Sequence, residues 1–263
     1  METCIFCPNP ANSKEDMFPR WVHKSVKTRE PLSRRIGDTR PEVTDEQEVR
    51  IPCVCATCNN GWMSRLETKC KPMIGSLIED LSLKLDAAHR KFLSEWALKT
   101  AMVTDACGGR ARFFTDTECH AFRSKNREIP DGTSVWAGRF TGRTLSAIGA
   151  EFRVDSPTAQ GVAHGYVFSI CVGHLILQVL SLHKRPDITK LTVAATPIKW
   201  ENFLTPLWPA LEPKTQSITW PPKGSFALVE NLNFGNLHYG HLIDRWKAKD
   251  GHSISSSQLH SEA

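Results

Sequence analysis

Two pairs of cysteines carry the spacing of a metal clamp: Cys4-Ile-Phe-Cys7 and Cys55-Ala-Thr-Cys58. A two-residue spacer lets both sulfurs of a pair turn toward one ion, and two such knuckles supply the four thiolates of a tetrahedral structural zinc. Cys53 competes for a place in that set, because in extended chain it faces the same side as Cys55. Cys55 is preferred, since it completes the knuckle with Cys58. Cys70, Cys107, Cys119 and Cys171 lack metal-type spacing and read as small buried apolar residues. Around the knuckles stand hard oxygen donors: Glu15-Asp16, ahead of Met-Phe-Pro-Arg-Trp21, then Asn59-Asn60 directly after Cys58, and Glu67. Asn60 and Glu67 are two helical turns apart and share a face. The plainer role for Asn59 or Asn60 is to cap the helix that follows. His23, the nearest spare imidazole, reads as a surface residue.

Residues 1 to 60 are rich in Cys, Pro, Arg and Lys, with little helical periodicity, as expected of a loop-heavy module organised by metal rather than by core. From Gly61 to Leu85 the apolar residues Trp62, Leu66, Met73, Leu77, Leu81 and Leu85 fall at helical intervals, with Pro72 predicted to break or kink the run. Trp62 and Met63 read as core. A second helix is predicted from about Ala87 to Ala106, its apolar face formed by Phe92, Leu93, Trp96, Ala97 and Thr100 to Val103. Strands are predicted at Ser134 to Phe140 and Leu145 to Val154, and the apolar run Gly165 to Leu182 reads as a hairpin or two strands. Prolines at 206 to 213 and 221 to 222 mark loops. The chain therefore divides into a metal module with its following helix (1–86), a helical bridge and mixed α+β accessory domain (87–250), and a polar tail (251–263). The histidines His164, His174, His183, His238 and His241 have no ligand spacing.

The order Cys-x2-Cys, acidic pair, Phe-Pro-x-Trp, then Cys-x2-Cys-Asn-x-Gly-Trp-Met resembles the zinc-containing HNH endonucleases. The resemblance is close over residues 4 to 67 and looser over Trp96 to Lys99, Gly173-His174-Leu175 and Trp220-Pro221-Pro222. It implies an α+β fold that begins with a zinc-bound ββα-metal module, two strands and a helix around a catalytic metal. It further implies that Glu15 and Asn59 hold magnesium or manganese, with Glu67 a further candidate ligand. The chemistry is consistent, because metal-assisted phosphodiester hydrolysis needs oxygen ligands for the cation and a base for the attacking water. In the resembling family the residue after the glutamate is a histidine that acts as that base. Here it is Asp16, whose unperturbed pKa of about 3.9 against about 6.5 for histidine makes it a weak base at neutral pH. Asp16 then either serves as a poorer base or joins Glu15 as a metal ligand.

The expected function is a metal-dependent endonuclease that cleaves or nicks DNA, slowed by Asp16. The alternative is a degenerate module of this type kept for binding nucleic acid or protein, in a defence or mobile-element setting. A net charge of +5 does not by itself demand a nucleic-acid partner. Its distribution does more: Arg20, Lys24, Lys27, Arg29, Arg34 and Arg35 face the single acid Glu30 in one stretch beside the module. A hydrophobic content of 40% and a charged content of 23% are those of a soluble globular protein. No apolar run reaches the roughly 18 residues needed to span a bilayer, and the first residues lack a secretory pattern, so the expected setting is the cytoplasm, without a membrane partner.

Overall fold

A computed structural model describes residues 2–26, 32–34, 42–44, 49–107, 111–124, 127–156, 159–184, 204–209 and 217–225. Near the amino terminus, strand β1 (Ser13–Asp16) pairs antiparallel with β4 (Arg50–Val54), and helix α1 (Arg20–Val26) follows β1. Between them a second antiparallel pair joins β2 (Leu32–Arg34) to β3 (Glu42–Thr44). Helix α1 takes up the start of the basic stretch. The side chains of Lys27, Arg29, Arg34 and Arg35 lie outside the described residues, as do the 251–263 tail, His238 and His241.

After β4 comes a one-turn helix α2 (Ala56–Cys58), a wide π turn over Asn59–Met63, and helix α3 (Ser64–Ile78). The helix expected from Gly61 to Leu85 is thus shorter at both ends, and Pro72 does not break it. Proline deprives the Thr68 carbonyl of its partner, but Thr68 is exposed and water can take that place. The end is set at Asp80, which adopts φ +58° while Leu81 N–H donates to Ser76 O and Asp80 N–H to Leu77 O. These bonds form a Schellman stop, with aspartate in the left-handed position that glycine usually fills. Residues beyond it leave the helix and form strand β5 (Leu83–Leu85), paired with β9 (Ile218–Trp220).

Helix α4 (Ala87–Asp105) matches its predicted span, because Asp86 caps it by accepting from the His89 N–H at 2.8 Å. A short helix α5 (Asp116–Arg123), not foreseen, starts at a Thr115–Glu118 capping box. The long strands β6 (Ser134–Ser156) and β7 (Ala159–Lys184) pair with each other, and β8 (Leu204–Trp208) pairs on the other edge of β6. Two expectations are corrected here. The run Gly165 to Leu182 lies within one strand rather than a hairpin, and Pro206, read as loop, sits in β8, an edge strand where its missing N–H is tolerated.

The fold is mixed α+β, with helices and several antiparallel sheets, and α4 packs on α3 and against β6, β7 and β8. One hydrophobic cluster takes in Phe6, Trp62, Leu66, Leu77, Trp96, Phe168, Leu175 and Trp220, so apolar residues from both sides of residue 86 share it. Opposite His174 the β6 register slips over residues 140–143. Gly173 there has φ +61°, and an added Cβ would meet Ile78 O at 2.8 Å, so only glycine lets the strand pass the end of α3. The bulge also aims Arg143 at the last carbonyls of α1, donating to Ser25 O at 2.7 Å and Val26 O at 3.2 Å. Among the described residues no helix is long and apolar enough to cross a membrane.

Arg139, just before the bulge, grips Asp80 through its Nε and Nη2. Hydrogen bonding by this guanidinium holds the Asp80 carboxyl below the usual aspartate range. A lowered pKa in the folded state stabilises the fold above the unfolded value near about 3.9, and that contribution is lost as pH falls through the folded value. Asp80→Asn retains a residue that tolerates the left-handed backbone and removes only the charge. It is expected to cost about 1 kcal/mol in urea unfolding at neutral pH and clearly less near pH 3, as that contribution is lost. An equal cost at both pH values would assign the effect to the turn rather than to the ion pair.

Candidate metal centre and adjoining cleft

The two knuckles are fixed by backbone hydrogen bonds before any ion enters. Cys4 N–H donates to Asn9 O at 2.8 Å, and Ile5 N–H donates to Cys53 O at 3.0 Å, which lays the first knuckle along β4. Ala56 N–H donates to Asn12 Oδ1 at 2.9 Å, and Cys58 N–H donates to Cys55 Sγ at 3.3 Å. The four sulfurs of Cys4, Cys7, Cys55 and Cys58 all lie within 4.8 Å of one another. Cys7 Sγ is 3.5 Å from Cys55 Sγ and 3.6 Å from Cys58 Sγ. Tetrahedral zinc with sulfurs at about 2.3 Å requires sulfur separations of about 3.8 Å, close to these values. The cluster could therefore hold a metal ion such as zinc, and among the described residues no other trio of cysteine, histidine and acidic side chains is drawn together in this way. Burial raises the Cys55 thiol, but hydrogen bonds, first from the Cys58 backbone, outweigh it and bring the pKa down to about 7. Cys53 is buried outside the cluster, so the choice of Cys55 as knuckle partner agrees with the geometry. Cys70, Cys119 and Cys171 are buried as expected, and Cys107 is half-buried.

Beside the knuckles opens a cleft of about 420 Å³ lined by Lys14, Glu15, Asp16, Pro19, Arg20, Trp21, Lys24, Asn59, Glu67 and Lys71. Glu15, Asp16, Asn59 and Glu67 thus reach one cleft, while Asn60 is exposed and takes no part in its lining. Within it the acids diverge. Successive strand residues point to opposite faces, so Glu15 turns inward while Asp16 turns toward Arg50, its cross-strand neighbour, whose Nε lies 3.1 Å from Asp16 Oδ1. Asn59 spends its amide nitrogen on Ser13 Oγ and Lys14 O, both at 2.9 Å, tying the turn after the second knuckle to β1 and leaving Oδ1 for a ligand. It caps no helix. Trp62 and Met63 are buried, with Trp62 edge-on to Phe6 and Phe122. His23 is half-buried and edge-on to Phe18, rather than a simple surface residue.

The residue that sequence reasoning missed is Lys99. Only 1% exposed, it donates from Nζ to Glu15 Oε1 at 2.6 Å and to Glu67 Oε1 at 3.3 Å. Burial opposes its charge, but Glu15 and Glu67 outweigh burial and hold the ammonium protonated more firmly than an ordinary lysine. The Glu67 carboxyl is also raised, by its own burial, although Lys99 pulls it down. The signal was a lysine inside the apolar run from Trp96 to Val103. As for a divalent cation in the cleft, the donors are hard oxygens of the right kind, and Lys99 takes only Oε1 of each glutamate. Three of the histidines without ligand spacing are engaged elsewhere: His164 with Glu151, His174 with Phe140 O, and His183 with Glu118.

Comparison with known proteins gives no match: no family model, no curated protein and no solved structure matches this chain.

Proposed function

We propose that this protein is a metal-dependent endonuclease of the HNH type that cleaves or nicks DNA, built on a structural zinc at Cys4, Cys7, Cys55 and Cys58. One observation carries the reading: three acids and Asn59 share a cleft with Lys14, Arg20, Lys24 and Lys71, directly beside the cysteine cluster. Strands β1 and β4 pair, and the second knuckle and helix α3 come after β4, which supports this reading.

In this reading the four cations bind the phosphodiester backbone, which supplies affinity without sequence preference. Glu15, Asn59 and Glu67 would hold magnesium or manganese, which stabilises charge developing on the phosphate and acidifies bound water. Lys99 positions Glu15 and Glu67 and prevents two neighbouring carboxylates from facing each other uncompensated. Asp16 accepts the hydrogen bond of the attacking water and draws off its proton weakly, while Arg50 orients the carboxylate. A general base of matched pKa contributes about 10²- to 10⁴-fold, so the reaction should be slow.

A second reading, a non-cleaving nucleic-acid-binding module, is favoured by the Lys99 ammonium lying 2.6 Å from the glutamate offered to the metal. Supercoiled-plasmid nicking with magnesium or manganese decides between them. Wild type should nick slowly, Glu15→Ala should lose activity by at least about 100-fold, and Asp16→His should gain at least about tenfold by restoring a base near neutral pKa. A loss in Asp16→His would make Asp16 a ligand instead. If all three proteins are equally inert while the cysteine cluster stays folded, the binding reading replaces the enzyme.

A further inference from the structure

On the far side of the second knuckle lies another cleft, of about 380 Å³, lined by Thr57, Gly61, Trp62, Arg65, His120, Arg123 and Ser124. We infer that it is a second phosphate-binding site, which grips the same nucleic acid away from the scissile phosphodiester; the inference rests on the nucleic-acid reading above.

The charge arrangement carries the inference. Arg65 comes from the first turn of α3 and is exposed, while His120 and Arg123 come from the last turn of α5 and are also exposed. No acidic residue lines the cleft, and among the described residues no carboxylate pairs with any of these cations. Cations at the end of α5 complement that helix's dipole, so a structural role accounts for His120 and Arg123. No such role accounts for Arg65, because the chain runs from α2 through the π turn straight into α3 and leaves no carboxy-terminal helix end beside it. Crowding it against two further basic side chains adds repulsion. A bound phosphate offsets that repulsion, and the guanidiniums of Arg65 and Arg123 are suited to bidentate anion recognition.

The floor is rigid. The Trp62 indole, only 7% exposed, is held edge-on between Phe6 and Phe122 and lies under Arg127, whose Cζ is 5.1 Å from the ring centroid. The same short segment serves both clefts, since Asn59 lines the first and Thr57 and Gly61 the second. Along α3, Glu67 and Lys71 face the first cleft and Arg65 the second. A backbone held on both flanks of α3 is thereby fixed in orientation before reaching Glu15.

The test is fluorescence anisotropy with a labelled DNA duplex of about 30 base pairs, titrated at several salt concentrations without divalent cation. Arg65→Ala/Arg123→Ala should weaken binding roughly tenfold to a hundredfold and reduce the salt slope by about 2, one for each lost phosphate contact. Lys84→Ala/Lys223→Ala removes the same charge from exposed positions on the β5–β9 side and should change affinity less than about twofold. Circular dichroism and zinc content should match wild type for both variants. If the Arg65/Arg123 variant binds like wild type, or no more weakly than the lysine control, the second cleft carries no phosphate. That result leaves nicking by wild type, and the endonuclease reading, untouched. If wild type binds duplex through Arg65 and Arg123 yet never nicks, the site stands and the endonuclease reading fails. If wild type binds no duplex, both fall.

Discussion

Treatment with a strong chelator is expected to abolish the near-ultraviolet dichroism of the module and to release one zinc per chain. Structural zinc in small modules provides about 10 to 16 kcal/mol of apparent binding energy, as much as the whole stability of an ordinary domain. Among the described residues near the amino terminus nothing else offers that much, for those before β4 contribute few core side chains besides Ile5, Phe6, Phe18, Val22 and Val26. Loss should spread, because Phe6 packs on Trp62, and Trp62 packs on Phe122 of α5. Single substitutions separate ligands from bystanders. Cys55→Ser should lose the zinc and unfold the module. Cys53→Ser, at a buried sulfur outside the cluster, should retain the metal and pay only an ordinary core cost of about 1 to 2 kcal/mol. Metal content measured on both purified variants checks this, and a Cys53→Ser protein without zinc beside a Cys55→Ser protein with it would reverse the assignment.

Local spacing explains what was legible in the chain. Each knuckle is written within four residues and the apolar face of α4 within its own span, so both could be read without knowledge of the rest. Cys55 over Cys53 followed from the same logic. The sheet was harder. A strand of 26 residues is several times the usual length of about 5 to 6, so Gly165 to Leu182 was divided in two, although Gly173 marks a close approach to Ile78 rather than a turn. Pro206 pointed to loop because the edge position of β8, which makes proline harmless, depends on which strand lies beside β6. In the cleft, Glu15 and Glu67 were visible as donors, but their shared partner was not. Lys99 is 84 positions from Glu15 and 32 from Glu67, and no periodicity links a lysine on an apolar helix to acids so distant.

That lysine provides the sharpest test of how the cleft is held together. Lys99→Met, similar in length and without charge, should lower unfolding free energy by about 3 to 5 kcal/mol at neutral pH, the usual cost of leaving a buried charge without its partner. Most of that cost falls on Glu15, which is 5% exposed, whereas the Glu67 side chain is 25% exposed and can turn to water. The sign of the pH dependence follows. Glu15 stranded in apolar surroundings would bind its proton more tightly in the folded state than in the unfolded one, so Lys99→Met should regain stability as pH falls and lose it as pH rises through the raised value. Adding Glu15→Gln to Lys99→Met removes the stranded charge and should recover at least about half of the loss, as buried ion pairs replaced whole are often nearly neutral. The same variant probes the metal question independently of catalysis. With the ammonium gone, Glu15 and Glu67 are free to accept another cation, so millimolar manganese should raise the melting temperature of Lys99→Met more than that of wild type. A Lys99→Met protein as stable as wild type, or a double variant no better than the single one, would show that the ion pair does not organise the cleft. Equal manganese shifts in both proteins would mean that Lys99 and the divalent cation do not compete for the same carboxylates.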